Sequence, residues 1–222
     1  MSAQVISKQR VSDHGEVLTA EREVNAMLDL VQHETERVDS RFLEPACGTG
    51  NFLVPVLEKK LAVVKNRYGK SQLEFERYAV IATGSIYGID ILEDNVQKCR
   101  ERLFKIFDAV YSSLYKQKSK DSCRDSTRFI FERNILHGDA LTLKTVSEKP
   151  EPIVFSEWVL VQGSMIKRRD YTFAELLHDH TKTPTLFSQV IVSDLGEQQF
   201  HPNPIKEYEL RHVLELAYEN KN

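Results

Sequence analysis

Apolar positions alternate between helical and extended spacing over the first two thirds of the chain. Helical spacing occurs in three segments, at residues 20–31, 52–64 and 93–115. Short apolar runs predict three strands, at residues 41–43, 79–89 and 129–131. The polar stretches at residues 66–75 and 116–128 predict exposed connections. This alternation is typical of a parallel sheet with crossover helices, so we expect a doubly wound α/β layout.

The pattern changes from residue 150 onward. Two extended runs, at residues 152–161 and 165–171, predict an antiparallel hairpin that turns at Gln162-Gly163-Ser164. Beyond it we expect a short helix, a strand, an irregular loop and a terminal helix, over residues 173–178, 186–192, 200–204 and 205–218. We therefore divide the chain into residues 1–149 and a divergent C-terminal part, residues 150–222. That part is either a second half of the sheet or a small antiparallel appendage, and we expect it to pack on the same sheet.

Composition and charge narrow the class of protein without indicating an activity. The formal net charge of −3 gives no overall basic field, so DNA binding would need a local basic surface or a partner. The three cysteines stand in unrelated contexts, which favours a reducing cytoplasm over a disulfide framework. No run of about 18 apolar residues occurs, so we expect no membrane span. The N-terminus also lacks the apolar core of an export signal.

The most informative stretch, residues 42–52, reads FLEPACGTGNF. It has the order strand, glycine turn and helix, which lets backbone N–H groups face a ligand across a helix N-terminus. Gly48 and Gly50 can adopt positive φ and leave room for a ligand to approach the backbone.

Three acidic residues follow the three predicted strands in turn. Because ligands of doubly wound sheets lie beyond the carboxyl ends of the strands, we expect Glu44, Asp90 and Asp139 to share one crevice. Asp90 is placed to accept hydrogen bonds from a ribose hydroxyl pair, and Asp139 to accept one from an adenine amino group. Glu44 can face a cationic amine or a sulfonium. Taken singly, Glu44 or Asp139 is more often a cap or turn residue, and Asp90 can simply cap the long helix.

Three other features have plainer explanations. Cys47 has no histidine placed to activate it, so it is expected to pack as a small residue. His178 and His180 resemble a metal pair but point apart at that spacing, so no metal site is predicted. The basic run Lys167-Arg168-Arg169 can contact phosphates or form a solvated strand face, and the sequence leaves both open.

Residues 42–52 resemble the S-adenosylmethionine-binding motif of adenine-N6 DNA methyltransferases, especially the modification subunits of type I restriction systems and related type II enzymes. Residues 15–19, GEVLT, resemble the cofactor loop of that family, G-x-x-[YF]-T-P, with Leu18 in place of the aromatic residue and Ala20 in place of the proline. Gly88-Ile89-Asp90 resembles its ribose-binding acid, and residues 138–141, GDAL, its adenine-contacting acid. The resemblance covers about residues 12–145.

The resemblance implies a Rossmann-like methyltransferase sheet with an antiparallel C-terminal portion, the N-terminal part (1–149) binding the cofactor S-adenosylmethionine. It further implies a cytoplasmic protein that acts on DNA, with help from a specificity or partner subunit and hence as a possible hetero-oligomer. The implied cofactor-binding residues are Thr19, Glu44, Ala46, Gly48, Gly50, Asn51, Asp90, Ile91, Asp139 and Ala140.

The family's [ND]-P-P-[YF] loop, which handles the target amine, does not occur in the chain. Asn203-Pro204 is the nearest match and comes too late. At the expected place, Glu157 could accept a proton and Trp158 could stack on a base. Two hypotheses follow. In the first, the chain is an adenine-specific DNA methyltransferase or a modification subunit. In the second, it is a catalytically inactive cofactor-binding subunit, regulatory or for assembly, that acts with another polypeptide. Methylation of a substrate other than DNA is a third.

Overall fold

The computed structural model describes residues 20–177, 190–192, 198–200 and 202–218. Over these residues it is a mixed α/β protein. The helices are α1 (Glu21–Leu30), α2 (Gln32–Thr35), α3 (Leu53–Tyr68), α4 (Gln72–Gly84), α5 (Glu93–Tyr115), α6 (Asp121–Asn134) and α7 (Phe173–Leu177). The strands are β1 (Phe42–Glu44), β2 (Ile86–Asp90), β3 (Ile135–Asp139), β4 (Lys144–Thr145), β5 (Val154–Gln162), β6 (Met165–Thr172), β7 (Val190–Val192), β8 (Gln198–Phe200), β9 (Lys206–Glu207) and β10 (Arg211–His212).

The first sheet has the order β1-β2-β3-β4 and is mixed. β1 runs parallel to β2 with Phe42 opposite Ile86, and β2 runs parallel to β3 with Gly88 opposite Ile135. Only β4 is antiparallel to its neighbour. The carboxyl ends of β1, β2 and β3 therefore meet at one edge of the sheet, as the alternation of elements predicts.

The predicted hairpin is confirmed, because β5 and β6 pair antiparallel from Val154 opposite Thr172 to Gln162 opposite Met165. Its turn contains Gly163 at a φ of 56°. β9 and β10 extend this second sheet by pairing with β6. The terminal helix expected over residues 205–218 is wrong, since these residues form the two short strands and turns. Of the strand expected at 186–192, only residues 190–192 lie within the described part, and they are extended.

Each crossover between the parallel strands contains two helices, where the sequence predicts one. The strand expected over residues 79–89 is wrong up to residue 84, because that part belongs to α4 and only Ile86–Asp90 is extended. Residues 79–82 are buried on every side, so the apolar run lacks the helical period that would identify it. The connection expected at residues 66–75 is confined to residues 69–71, and the loop expected at residues 116–128 to residues 116–120, because α3, α4 and α6 occupy the rest. The strand expected at residues 129–131 is wrong, since these residues belong to α6.

The central strands are covered on both faces. Ile86 of β2 belongs to the main core with helices α3 to α6, whereas Tyr87 and Ile89 point to the opposite face. There they pack on Phe155 of β5 and on Phe173 of α7. Full burial of such side chains contributes roughly 1.5–3 kcal/mol each. Within the described residues, no helix combines the length and the apolar character needed to cross a membrane.

A buried lysine fixes the segment that leads into β1. The ammonium of Lys60, on α3, donates to the carbonyls of Arg37 at 2.7 Å, Val38 at 3.1 Å and Ser40 at 2.7 Å. It also lies 5.2 Å from the centre of the Phe42 ring. Burial lowers the pKa of Lys60 to about 8. The three carbonyls have the ammonium as a shared donor, so its removal leaves polar groups unpaired.

We expect Lys60→Met to lower the free energy of unfolding by roughly 2–4 kcal/mol, because buried carbonyls lose a charged donor. The neighbouring Lys59 is the matched control, since it is partly exposed and only pairs with Asp29 at 3.8 Å. Lys59→Met should change the free energy by less than about 0.5 kcal/mol. Urea denaturation of both variants measures this, and equal stabilities would contradict the role given to Lys60.

A second buried polar cluster joins the helices of the two crossovers. The carboxylate of Glu76, on α4, accepts hydrogen bonds from the Tyr111 hydroxyl of α5 and, at 2.8 Å each, from Gln72 and the Lys120 ammonium. The Lys120 backbone N–H in turn donates to the Tyr111 oxygen at 3.0 Å. Burial, and then the hydrogen bond to Glu76, raise the pKa of Tyr111 above its ordinary value.

Because the pKa of Tyr111 is raised in the folded chain, its contribution to the free energy of unfolding decreases at alkaline pH. The unfolded chain loses this proton near pH 10 while the folded chain keeps it, so the contribution is complete below pH 10 and is lost as the pH rises further. Tyr111→Phe should cost about 1–2 kcal/mol at pH 8, and its difference from the wild type should shrink above pH 10. Urea denaturation at several pH values measures this. A difference that stays constant up to pH 11 would contradict it.

Candidate functional site

The glycine turn after β1 is fixed to β2 by backbone hydrogen bonds. The Cys47 N–H donates to the Ile89 carbonyl at 2.8 Å, and the Gly50 N–H donates to the Cys47 carbonyl at 2.8 Å. Gly48 and Gly50 have φ values of 52° and 88°, as the sequence predicts for this turn. A Cβ at Gly50 would lie 2.9 Å from the Cys99 sulfur, so this position needs glycine for space as well.

Small side chains bring the turn close to β2 and α5. A Cβ added to Gly88 would lie 3.0 Å from the Cys47 sulfur, which shows how closely the turn packs on the strand. A hydrogen bond with the Cys99 thiol, together with burial, raises the pKa of Cys47 far above its ordinary value. A thiol held protonated is a poor nucleophile, so the geometry gives Cys47 a packing role.

Asp90 connects the end of β2 to the glycine turn. Its Oδ2 accepts the Gly48 N–H at 2.8 Å, and its Oδ1 accepts the Leu92 N–H at 2.9 Å and the Asn95 amide at 3.2 Å. The side chain is 8% exposed. A carboxylate offers about four acceptor positions, so one position on Oδ2 remains available to a hydroxyl donor.

Glu44 lies at the end of β1 beside the turn and is half-buried. Burial raises the pKa of its carboxyl. Its closest polar contact is the Ala46 N–H, at a long 3.4 Å. Within the described part of the chain no lysine or arginine forms an ion pair with it. A partly desolvated carboxylate without a cationic neighbour favours a ligand that brings its own positive charge.

Asp139, at the end of β3, lies two residues beyond His137, which is the register partner of Asp90. Its carboxylate accepts the Leu141 N–H at 2.9 Å and the Thr142 hydroxyl at 3.0 Å. These hydrogen bonds, the backbone one first, lower the pKa of Asp139. In the structure Asp139 therefore caps the turn that follows β3. Each of its two carboxylate oxygens keeps a free acceptor position. Ala140 follows in the same turn.

A positively charged residue on α5 supports the turn from its outer side. The guanidinium of Arg102 donates to the Thr49 carbonyl at 2.7 Å and to the Asn51 side-chain oxygen at 2.8 Å. The sequence does not single out Arg102, since its partners lie about 50 residues away and no local pattern marks it. Ile91 is 48% exposed and offers an apolar surface next to Asp90.

The two catalytic candidates lie at the opposite end of the sheet from the glycine turn and Asp90. The Glu157 carboxylate accepts a hydrogen bond from Arg41, which precedes β1, and another from the Tyr171 hydroxyl at 3.2 Å. Trp158 is 7% exposed and packs on Gly84, which precedes β2. Glutamate and tryptophan thus meet the amino ends of β1 and β2, whereas the glycine turn and Asp90 follow the carboxyl ends. The structure does not bring the two groups of residues together.

Some predicted positions lie outside the described residues, namely Thr19, the preceding loop residues 14–18, and residues 178–180. Among the residues that the structure does describe, no three histidine, cysteine, aspartate or glutamate side chains lie close enough to hold a metal ion. Comparison of the chain with protein-family models, with curated proteins and with solved structures gave no match in any of the three. The functional interpretation therefore depends on the placement of Glu44, the glycine turn, Asp90 and Asp139 at the carboxyl ends of three neighbouring parallel strands.

Proposed function

We propose that this chain binds S-adenosylmethionine and serves adenine-N6 methylation of DNA, as a methyltransferase or as the modification subunit of a restriction system. The observation that carries the proposal is the hydrogen bond from the Gly48 N–H to the Asp90 carboxylate at 2.8 Å. It joins the glycine turn after one parallel strand to the acid after the next, at the edge of the sheet where such folds bind nucleotides.

The order of strands supports a Rossmann-like sheet. In the standard doubly wound order 3-2-1-4-5-6, the first three strands lie side by side and parallel. β1, β2 and β3 have that arrangement, with a crossover of helices between each pair. We therefore interpret these three strands as the half of such a sheet that carries the glycine turn and the two following acids.

In this proposal, each part of S-adenosylmethionine has a matching residue at the carboxyl ends of the parallel strands. The open acceptor position of Asp90 suits a ribose hydroxyl, and Asp139 suits the adenine amino group. Ile91 offers an apolar contact for the adenine ring. Glu44 suits the sulfonium or the ammonium group, because its charge is not neutralised by a described cation. In the reaction itself, the exocyclic amine of a flipped-out adenine would attack the sulfonium methyl in line. The bond between that methyl carbon and sulfur would break, S-adenosylhomocysteine would leave, and the methylated amine would pass one proton to water or to a partner's acceptor.

A second function is favoured by the position of Glu157 and Trp158. Both are held in contacts at the amino ends of the strands, so neither is free to meet a base at the crevice. This favours a cofactor-binding regulatory or assembly subunit, which would act on DNA together with a partner polypeptide in the cytoplasm. The net charge of −3 agrees with the need for a partner that supplies DNA contacts.

Binding of the cofactor is tested most cleanly at Glu44, because variants of Asp90 would also break the turn. Glu44→Gln should weaken S-adenosylmethionine binding about tenfold, through loss of one partly buried charge pair. Calorimetry should be repeated with S-adenosylhomocysteine, which lacks the sulfonium charge. A loss confined to S-adenosylmethionine assigns Glu44 to the sulfonium, and an equal loss assigns it to the ammonium. The exposed Glu58→Gln on α3 is the control and should bind like the wild type.

The binding proposal fails if the wild-type chain shows no heat with S-adenosylmethionine at millimolar concentration. If Glu44→Gln binds both compounds as tightly as the wild type, the role given to Glu44 is wrong.

Transfer of a labelled methyl group to unmethylated DNA separates the two functions. We expect no transfer by the purified chain alone, because Glu157 and Trp158 do not reach the crevice. The opposite result is transfer by the wild-type chain alone that is lost in both Glu157→Gln and Trp158→Phe while cofactor binding is unchanged. That result would contradict our expectation and assign catalysis to this chain. Transfer that survives both changes would contradict the subunit function while leaving these two residues without a catalytic role.

A further inference from the structure

A histidine lies between the acids at the carboxyl ends of β2 and β3. His137, on β3, is the register partner of Asp90 on β2, and Asp139 follows it two residues later. Alternate residues of a strand share a face of the sheet, and paired residues of neighbouring strands do so too. The side chains of His137 and both acids therefore start from the same face, on which Ile135 joins the main core.

The ring of His137 reaches from β3 to the turn that follows β2. Its Nε2 lies 3.0 Å from the Ile91 carbonyl oxygen. A carbonyl oxygen only accepts hydrogen bonds, so Nε2 carries the proton and is the donor. The side chain of His137 thus ties β3 to the peptide group that comes directly after Asp90.

The turn between β2 and α5 is short and is held from two sides. It consists of Ile91 and Leu92. Asp90 fixes its second residue, because the Asp90 Oδ1 accepts the Leu92 N–H at 2.9 Å. His137 fixes its first residue through the carbonyl. The direction of the Ile91 side chain, which is 48% exposed, therefore depends on a backbone that the histidine holds.

Packing does not explain a histidine at this position. The side chain of His137 is partly exposed and belongs to neither core cluster. Within the described part of the chain it forms no ion pair with an acid. The hydrogen bond to Ile91 is thus what distinguishes His137 from an apolar residue of similar size at this place in β3.

We propose that His137 is a positioning residue for an adenine nucleoside bound at the carboxyl ends of β2 and β3. It holds Ile91 so that the base lies against the apolar side chain while the amino group of the base donates to Asp139. Without this hydrogen bond the ligand itself would have to order the turn, which costs affinity. The inference rests on the proposed binding of S-adenosylmethionine and concerns the adenosine half of that molecule.

Two substitutions of His137 separate its donor from its bulk. His137→Leu removes the donor, whereas His137→Gln keeps an N–H at about the distance of Nε2 from the backbone. In calorimetry, His137→Leu should bind S-adenosylmethionine about fivefold more weakly, and His137→Gln within about twofold of the wild type. The control is His33→Leu on α2, where the side chain is 75% exposed, and it should bind like the wild type.

A second ligand, 5′-methylthioadenosine, contains the adenosine half without the sulfonium and the amino acid. His137→Leu should weaken its binding by the same factor as that of S-adenosylmethionine. Glu44→Gln is the matched comparison, because it should weaken S-adenosylmethionine alone. A loss in His137→Leu that is confined to S-adenosylmethionine would overturn the inference, and so would a wild type that does not bind 5′-methylthioadenosine at millimolar concentration.

Failure of this inference and failure of the proposed function give different results. If the wild type binds both ligands and His137→Leu binds them equally well, or if the Leu and Gln variants lose equally, the inference is wrong and cofactor binding stands. If the wild type binds neither ligand, both are wrong. Thermal unfolding of each variant shows whether a loss of binding accompanies a loss of fold.

Nitrogen-15 NMR of the histidine side chains tests the hydrogen bond without a ligand. The signals of His137 are those absent from the spectrum of His137→Gln. In the wild type at pH 9 we expect the proton on Nε2, because this nitrogen faces the Ile91 carbonyl. A proton on Nδ1 instead would overturn the inference, whether or not the variants fold.

Discussion

The parallel pairing of β1 with β2 is the constraint on which the rest of the structure depends. β1 has only three residues, and its pairing is extended beyond the strand by the Cys47 N–H, which donates to the Ile89 carbonyl at 2.8 Å. The Gly48 N–H then reaches Asp90. Each contact needs the register that places Glu44 opposite Gly88. A shift of the register would remove all of these hydrogen bonds together and separate the acid from the glycine turn.

Buried polar groups, as well as the apolar core, hold the long crossovers in place. Lys60 ties the segment before β1 to α3, and Glu76 joins α4 to α5 and to the start of α6. Asn134, at the end of α6, donates to the Gly84 carbonyl at 3.2 Å and accepts the Ser156 N–H at 3.3 Å. It thereby connects the amino end of β2 to the C-terminal hairpin. Such groups favour one arrangement of the helices, because any other leaves a donor or acceptor unpaired.

The sequence predicts the elements whose glycines and pattern of apolar and polar residues specify them locally. The turn in residues 42–52 is readable because glycines and apolar flanks specify it locally, and the long helix Glu93–Tyr115 is confirmed because only one of its faces is buried. For residues 79–84 and 129–131 the sequence wrongly predicts strands, because apolar runs without a polar face do not distinguish a buried helix from a strand. The support of the turn by Arg102 could not be predicted, because it depends on how two distant segments fold against each other.

The only tryptophan of the chain lies where the hairpin meets the helices. Trp158 packs edge-on against Phe129 of α6, with the Arg168 guanidinium 5.5 Å from its ring, and its indole N–H has no acceptor within the described residues. An indole without a hydrogen-bond acceptor, shielded from water, emits fluorescence at short wavelength. The fluorescence of Trp158 therefore reports on the contact between the hairpin and the helices. Its emission would shift to longer wavelength if the hairpin separated from the helices while the parallel strands stayed intact.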